Sequence, residues 1–290
     1  MTLFLGVPHI PENTSWSKQG ITVANGISSA CGVAVDQDNG AIFTCDRDAS
    51  SVISSMPGES RRVRIGRFQQ GYSTNPPNIL IDKETNSMVG CDLSEKSLKR
   101  WYFRSNTIQS ETIISSIECN GFAVDDEGTF YINDNSKSSI KSYSQGDRNG
   151  YMMEISLGRY SDGQFIFVAG DGTVYVSDRS NSRVVKWVRG AKEVIVVAGF
   201  GGRGSNITQL DAPHGIVVDG RGTIYVADKG NGRLIRWRNG EKEGEILFGG
   251  KKWGSGPSDL IEPTGLAFDR YNNLYVSDLG NRRIQRFSVE

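Results

Sequence analysis

One block of sequence recurs six times, and this limits the fold more than any other property of the chain. It reads Gly215-Ile-Val-Val-Asp-Gly-Arg-Gly-Thr-Ile-Tyr-Val-Ala-Asp228 and again Gly265-Leu-Ala-Phe-Asp-Arg-Tyr-Asn-Asn-Leu-Tyr-Val-Ser-Asp278. Looser copies run from Gly32 to Asp46, Asn78 to Asp92, Gly121 to Asp134 and Phe165 to Asp178. The closing aspartates are 46, 42, 44, 50 and 50 residues apart, so six copies occupy nearly all of the 290 residues. Self-similarity at this period marks an architecture of repeated units.

Each copy carries an apolar run, an Asp/Gly-rich turn and a second run rich in Tyr, Val and Ile. A third run follows, such as Arg233-Leu-Ile-Arg-Trp237, and then a fourth, such as Glu245-Ile-Leu-Phe248. No helical stretch separates them, which predicts four antiparallel strands per repeat and an all-β, six-bladed β-propeller. The sixth copy stops at Phe287-Ser-Val-Glu290, after its third strand, while residues 20–26 read as a fourth strand with no blade of their own. The N-terminal strand is therefore expected to complete the last blade and close the ring, leaving no open sheet edge. The predicted organisation is an extension over 1–19 and one propeller over 20–290. The 35 glycines, about 12% of the chain against a usual ~7%, fall at the turns that punctuate such blades.

The residues Gly-x-x-x-Asp, Tyr-Val-x-Asp and Asn-x-Arg followed by an aromatic resemble the NHL repeat. Copies four to six carry the motif in full, through Asp178/Asn181/Arg183, Asp228/Asn231/Arg233 and Asp278/Asn281/Arg283; in copies one to three the Asn and Arg positions hold other residues. The resemblance implies the propeller fold over residues 20–290. It also implies a role as a protein-binding or RNA-binding domain, and less often an enzymatic one.

The chemistry-bearing residues divide into scaffold and candidates. The six repeated aspartates are expected to be structural, accepting hydrogen bonds from the following turn, and the arginine five positions on, where present, can pair with the aspartate. Gly199-Phe-Gly201-Gly-Arg-Gly204 spells G-x-G-x-x-G but leads into another strand instead of opening a helix, so it is not expected to bind a dinucleotide. Asp36-Gln-Asp-Asn-Gly40 is read as a hairpin turn, since the later positions of a calcium loop are missing. Only His9 and His214 exist, too few for the three-histidine zinc site of the amidating-lyase propellers the repeat resembles. Residues at the mouth of the central channel, Cys31, Asn78, Asn120, Gln164, His214 and Thr264, form a polar ring without a carboxylate. That disfavours a calcium-dependent lactonase site, and the ring is read as the polar lining of a water-filled channel. No metal, no cofactor and no catalytic residue is expected, and the chain is read as a non-enzyme.

Strand direction places the connections between blades on one face. They carry Arg67, Phe68 and Tyr72, then Arg159 and Tyr160, then Phe200 and Arg203, and finally Lys251, Lys252 and Trp253. Aromatics interleaved with cations suit a peptide, a glycan or single-stranded RNA. Thirty-three basic and 33 acidic side chains leave no net charge, which favours a protein or peptide partner over RNA. The expected function is recognition of a protein or peptide by a monomer, with RNA binding and a metal-assisted lyase or lactonase as alternatives. No apolar run approaches the ~20 residues of a membrane-spanning helix, so no membrane insertion is expected. Residues 1–11 lack the pattern of a signal peptide, and the compartment is left open: glycosylation at the sequons Asn13 and Asn206, or paired cysteines, would place the protein outside the cytosol. The four cysteines admit Cys91–Cys119 and Cys31–Cys45 disulfides or reduced thiols.

Overall fold

A computed structural model describes residues 8–46, 51–56, 62–67, 79–82, 85–92, 94–102, 109–134, 139–144, 151–153, 165–250 and 253–290, without the side chains of 31, 51, 62–67 and 151–153. Strand β1 (Ile21–Asn25) precedes the first blade, which holds β2 (Ala30–Val35), β3 (Ile42–Asp46), β4 (Ser51–Ser55) and β5 (Arg62–Arg67). Blade two holds β6 (Ile79–Asp82), β7 (Ser87–Asp92), β8 (Ser97–Tyr102) and β9 (Gln109–Ser115). Blade three is β10 (Cys119–Val124), β11 (Phe130–Asp134), β12 (Ser139–Tyr143) and β13 (Tyr151–Met153). Blade four is β14 (Ile166–Val168), β15 (Val174–Asp178), β16 (Arg183–Trp187) and β17 (Ile195–Ala198). Blade five is β18 (Pro213–Val218), β19 (Ile224–Asp228), β20 (Arg233–Trp237) and β21 (Glu245–Gly249). Blade six contributes β22 (Pro263–Phe268), β23 (Leu274–Asp278) and β24 (Arg283–Phe287). Each blade is an antiparallel meander, as short turns between alternating strands require.

The sixth sheet has the order β1-β24-β23-β22, with Ala24 opposite Ile284 and Asn25 opposite Arg283. The strand expected to close the ring does so. The residues just before β1 are fixed as well: Trp16 bridges Val289, the Glu290 amide donates to Ser15 O, and Ile10 and Trp16 are buried. Trp16 makes an edge contact with Tyr225 at 5.9 Å and donates its indole N–H to Asn272 O at 2.9 Å.

The core is six layers, one between each pair of neighbouring blades, because every sheet is apolar on both faces. Leu80, Val89 and Leu98 of blade two meet Phe122, Phe130 and Ile132 of blade three. Tyr225 and Leu234 of blade five meet Leu266, Leu274 and Phe287 of blade six. Of Trp101, Trp187, Trp237 and Phe287, which recur at one third-strand position, Trp187 is only partly buried against the layer between blades three and four, while the other three are buried in these layers and Phe287 stacks on Phe248 at 3.7 Å. Each such side chain contributes about 1.5–3 kcal/mol by leaving water. The layer between blades two and three also carries a Cys91–Cys119 disulfide joining β7 to β10; Cys45 is disulfide-bonded too. Among the described residues, no helix is long and apolar enough to cross a membrane.

Candidate functional site

The repeated aspartates build the loop face from below. In blade five the buried Asp228 carboxylate accepts from Arg233 Nε at 2.7 Å, Asn231 Nδ2 at 2.8 Å and the Asp211 amide at 2.7 Å. Burial pushes its pKa up, and these donors only partly offset that. Blade six repeats the arrangement, with Asp278 accepting from Arg283 Nε, Asn281 Nδ2 and the Ile261 amide. In blade four Asp178 binds Arg183 and Asn181. The expected pairing holds in these three blades. One donor differs from expectation: in blades five and six the backbone N–H comes from the preceding inter-blade loop, 17 residues upstream, and Asp46 likewise accepts from Ser29 N at that separation.

Blades two and three solve the same charge problem with a different residue. Asp92 and Asp134 pair with Lys99 at 3.1 Å and Lys141 at 2.7 Å, each seven positions on and so outside the Asn-x-Arg spacing of the repeat motif. Two residues further along an adjacent strand, a lysine side chain is long enough to reach the same carboxylate. Burial raises Asp92, but the Ser94 hydroxyl and Lys99 outweigh it and hold the carboxyl below its ordinary value.

Arginine in blades five and six does more than neutralise an aspartate. Arg233 also donates to Ser205 O, Asn206 O and Gln209 O, while Asn231 donates to Gly204 O at 2.8 Å. Arg283 binds Ser255 O, Gly256 O and Asp259 O, and Asn281 binds Gly254 O at 2.9 Å. The motif thus clamps the inter-blade loop that lies over it. Each loop leaves its blade through a left-handed glycine, Gly199 at φ +77° and Gly249 at φ +71°, where a Cβ would strike the carbonyl oxygens of Ser182 and Gly232. The G-x-G-x-x-G stretch is such a loop: the amides of Gly201, Gly202 and Gly204 donate to Thr208 O, Gly199 O and Leu210 O. These three N–H groups are engaged within the loop. The Asp36 segment is a hairpin turn, with the Asp36 amide bonded to Ala41 O and its carboxylate accepting from the Asp38 amide.

Of the ten residues proposed for the loop face, Phe68, Tyr72, Arg159, Tyr160, Lys251 and Lys252 lie outside the described residues, as does the side chain of Arg67. Phe200 packs against the layer between blades four and five, and Lys242 covers its ring at 4.0 Å. Arg203 is 78% exposed and paired with Asp211 at 3.0 Å. Trp253 is 63% exposed. Arg203 and Trp253 occupy equivalent positions in successive loops, each directly before the glycine that the motif asparagine grips. The Trp253 ring lies against Gly232, where a Cβ would come within 3.2 Å of Cδ1 and Nε1.

At the channel mouth, Asn78 and Gln164 lie outside the described residues, and so does the Cys31 side chain. Thr264 donates its hydroxyl to Ala30 O at 3.2 Å, linking blades six and one. His214 sits against Phe165 at 4.7 Å, with Nδ1 3.3 Å from Thr264 O. Burial, reinforced by Lys229 and Arg179, lowers its pKa to about 3, so the ring is neutral at ordinary pH. Deeper along the axis, a cavity of about 110 Å³ is lined by the residue two before each first-hairpin position: Ala34, Leu80, Ala123, Phe167, Val217 and Ala267.

Residues 210–237 match the NHL repeat, and they span the start of β18 to the end of β20 with the complete Asp228/Asn231/Arg233 clamp. The chain is a six-bladed β-propeller, one stretch of which matches the NHL repeat. No curated protein matches its sequence. Among solved structures, this propeller is similar to an auxiliary nutrient binding protein from Bacteroides thetaiotaomicron, at TM-score 0.75 and 15% identity over 100% of this chain and 76% of that one. It is similar to virginiamycin B lyase from Staphylococcus aureus, at TM-score 0.60 and 11% identity over 93% of this chain and 98% of the lyase. A luciferin-regenerating enzyme aligns at TM-score 0.67 and 14% identity over 95% of each chain.

Enzymes among these neighbours correct the expectation that the chain is not an enzyme. The sequence argument removed particular constellations, a three-histidine zinc site and a carboxylate in the channel ring, but a propeller positions catalytic groups from any of six blades. Excluding two constellations therefore leaves the fold open to others.

Proposed function

We propose that this propeller is a recognition module that takes a protein or peptide on the face carrying the inter-blade loops, with Trp253 as its aromatic anchor. The observation that carries the reading is the state of that side chain: a tryptophan largely open to solvent, yet held against the backbone of Gly232 in a loop clamped by Arg283 and Asn281. An exposed ring that is already fixed loses little side-chain entropy on binding, and such residues dominate interface energies. Arg203, held by the equivalent clamp one blade earlier, adds a cation at the same height. A stacking platform for RNA is less well supported, because Phe200 is covered by Lys242 and the chain carries no net charge.

The test is selection of peptides from a random library on the native protein, followed by calorimetry of the selected peptides. Trp253→Ala should weaken binding about 30-fold, corresponding to about 2 kcal/mol, and Tyr271→Ala, at an exposed hairpin on the opposite face, should leave it unchanged. Selected peptides that bind the Trp253→Ala protein equally well would remove the proposal. Salt-sensitive binding of a random single-stranded RNA pool in place of peptides would do the same.

A further inference from the structure

The axis of the propeller offers a second site, distinct from the loop face and independent of the function proposed for it. All six blades contribute one residue to a ring around the cavity, and all six are apolar: Ala34, Leu80, Ala123, Phe167, Val217 and Ala267. Three of these positions hold alanine where the others hold leucine, phenylalanine or valine; Ala123 is packed into the layer between blades three and four, whereas Ala34 and Ala267 keep part of their surface open. A volume of about 110 Å³ is of the order of the ~150 Å³ apolar cavity that admits benzene or xenon.

The end of the cavity away from the loop face has a built rim. Gln37 donates its amide to both Val35 O at 3.1 Å and Phe268 O at 2.9 Å, tying blade one to blade six beside the opening. Pro8 lines the same end and accepts from the Gly220 amide at 2.9 Å, anchoring the N-terminal segment to blade five. Asp36 lines the same end, its carboxylate accepting from the Asp38 and Asn39 amides; the polar groups of this rim thus have partners, and the space behind them is surrounded mainly by hydrocarbon. We propose that this cavity binds a compact, neutral, apolar molecule or side group of about six non-hydrogen atoms. A charged ligand would lose its hydration there without gaining a partner from the ring.

Benzene is a suitable probe, followed by thermal unfolding of the full chain. At ten times its dissociation constant it should raise the melting temperature by about 2 °C, saturably, and Trp253→Ala should not alter the shift. Ala34→Leu and Ala267→Leu should each fill the ring and abolish the shift; the pair is used so that one misfolded variant does not decide the result. Absence of a saturable shift in the native protein, or a full shift in a folded filled variant, would overturn the proposal.

Discussion

At the scale of single residues, the arginine of the repeat motif has the most concentrated role. Arg233 is almost fully buried and joins the Asp228 carboxylate to three carbonyl oxygens of the loop above. Arg233→Ala removes all of these and strands an aspartate that burial already disfavours in its charged form, so a loss of about 3–5 kcal/mol in denaturant unfolding is expected. Arg183→Ala should cost less, because that arginine side chain is 29% exposed against 2% for Arg233. The Asp/Asn/Arg spacing was legible in the sequence because it is local. The lysines that replace arginine in blades two and three were not, because their reach to Asp92 and Asp134 depends on where the neighbouring strand places them.

At the scale of elements, the strands and their order followed from the repeat, whereas the joints between blades needed the structure. Cys91 and Cys119 lie 28 residues apart, on a second strand and the next innermost strand, and sequence left them open between thiols and a disulfide. Both are buried in the layer between blades two and three, so their bridge staples two sheets that otherwise meet through apolar contacts. Closing a loop of that length contributes about 3.5 kcal/mol in the chain-entropy account. A Cys91→Ser/Cys119→Ser double variant should lose about that much in denaturant unfolding, and unchanged stability would show that packing alone holds the joint. The inter-blade loops show the same division. Their presence was legible, but Phe200 and Trp253, both aromatic and both in glycine-rich loops, have opposite fates: Lys242 covers one ring and the other stays open.

At the scale of the whole molecule, stability depends on closing the ring. Strand β1 pairs with β24, and Trp16 just before it is buried between blades five and six, with Tyr225, Phe268 and the Arg236 guanidinium around it. Trp16→Ala should cost about 3–5 kcal/mol and should expose the N-terminal segment to protease at denaturant concentrations where the native protein resists. Protection unchanged from the native protein would show that β1 closes the ring without this anchor. The sequence alone determined the blade count, the strand order and the closure, since each is written in a local pattern repeated every 42 to 50 residues. Only the tertiary structure decided which residues face the axis and which loop aromatics remain open. Those properties arise where residues from different blades meet, and a period of one blade carries no information about the neighbour that each side chain will touch.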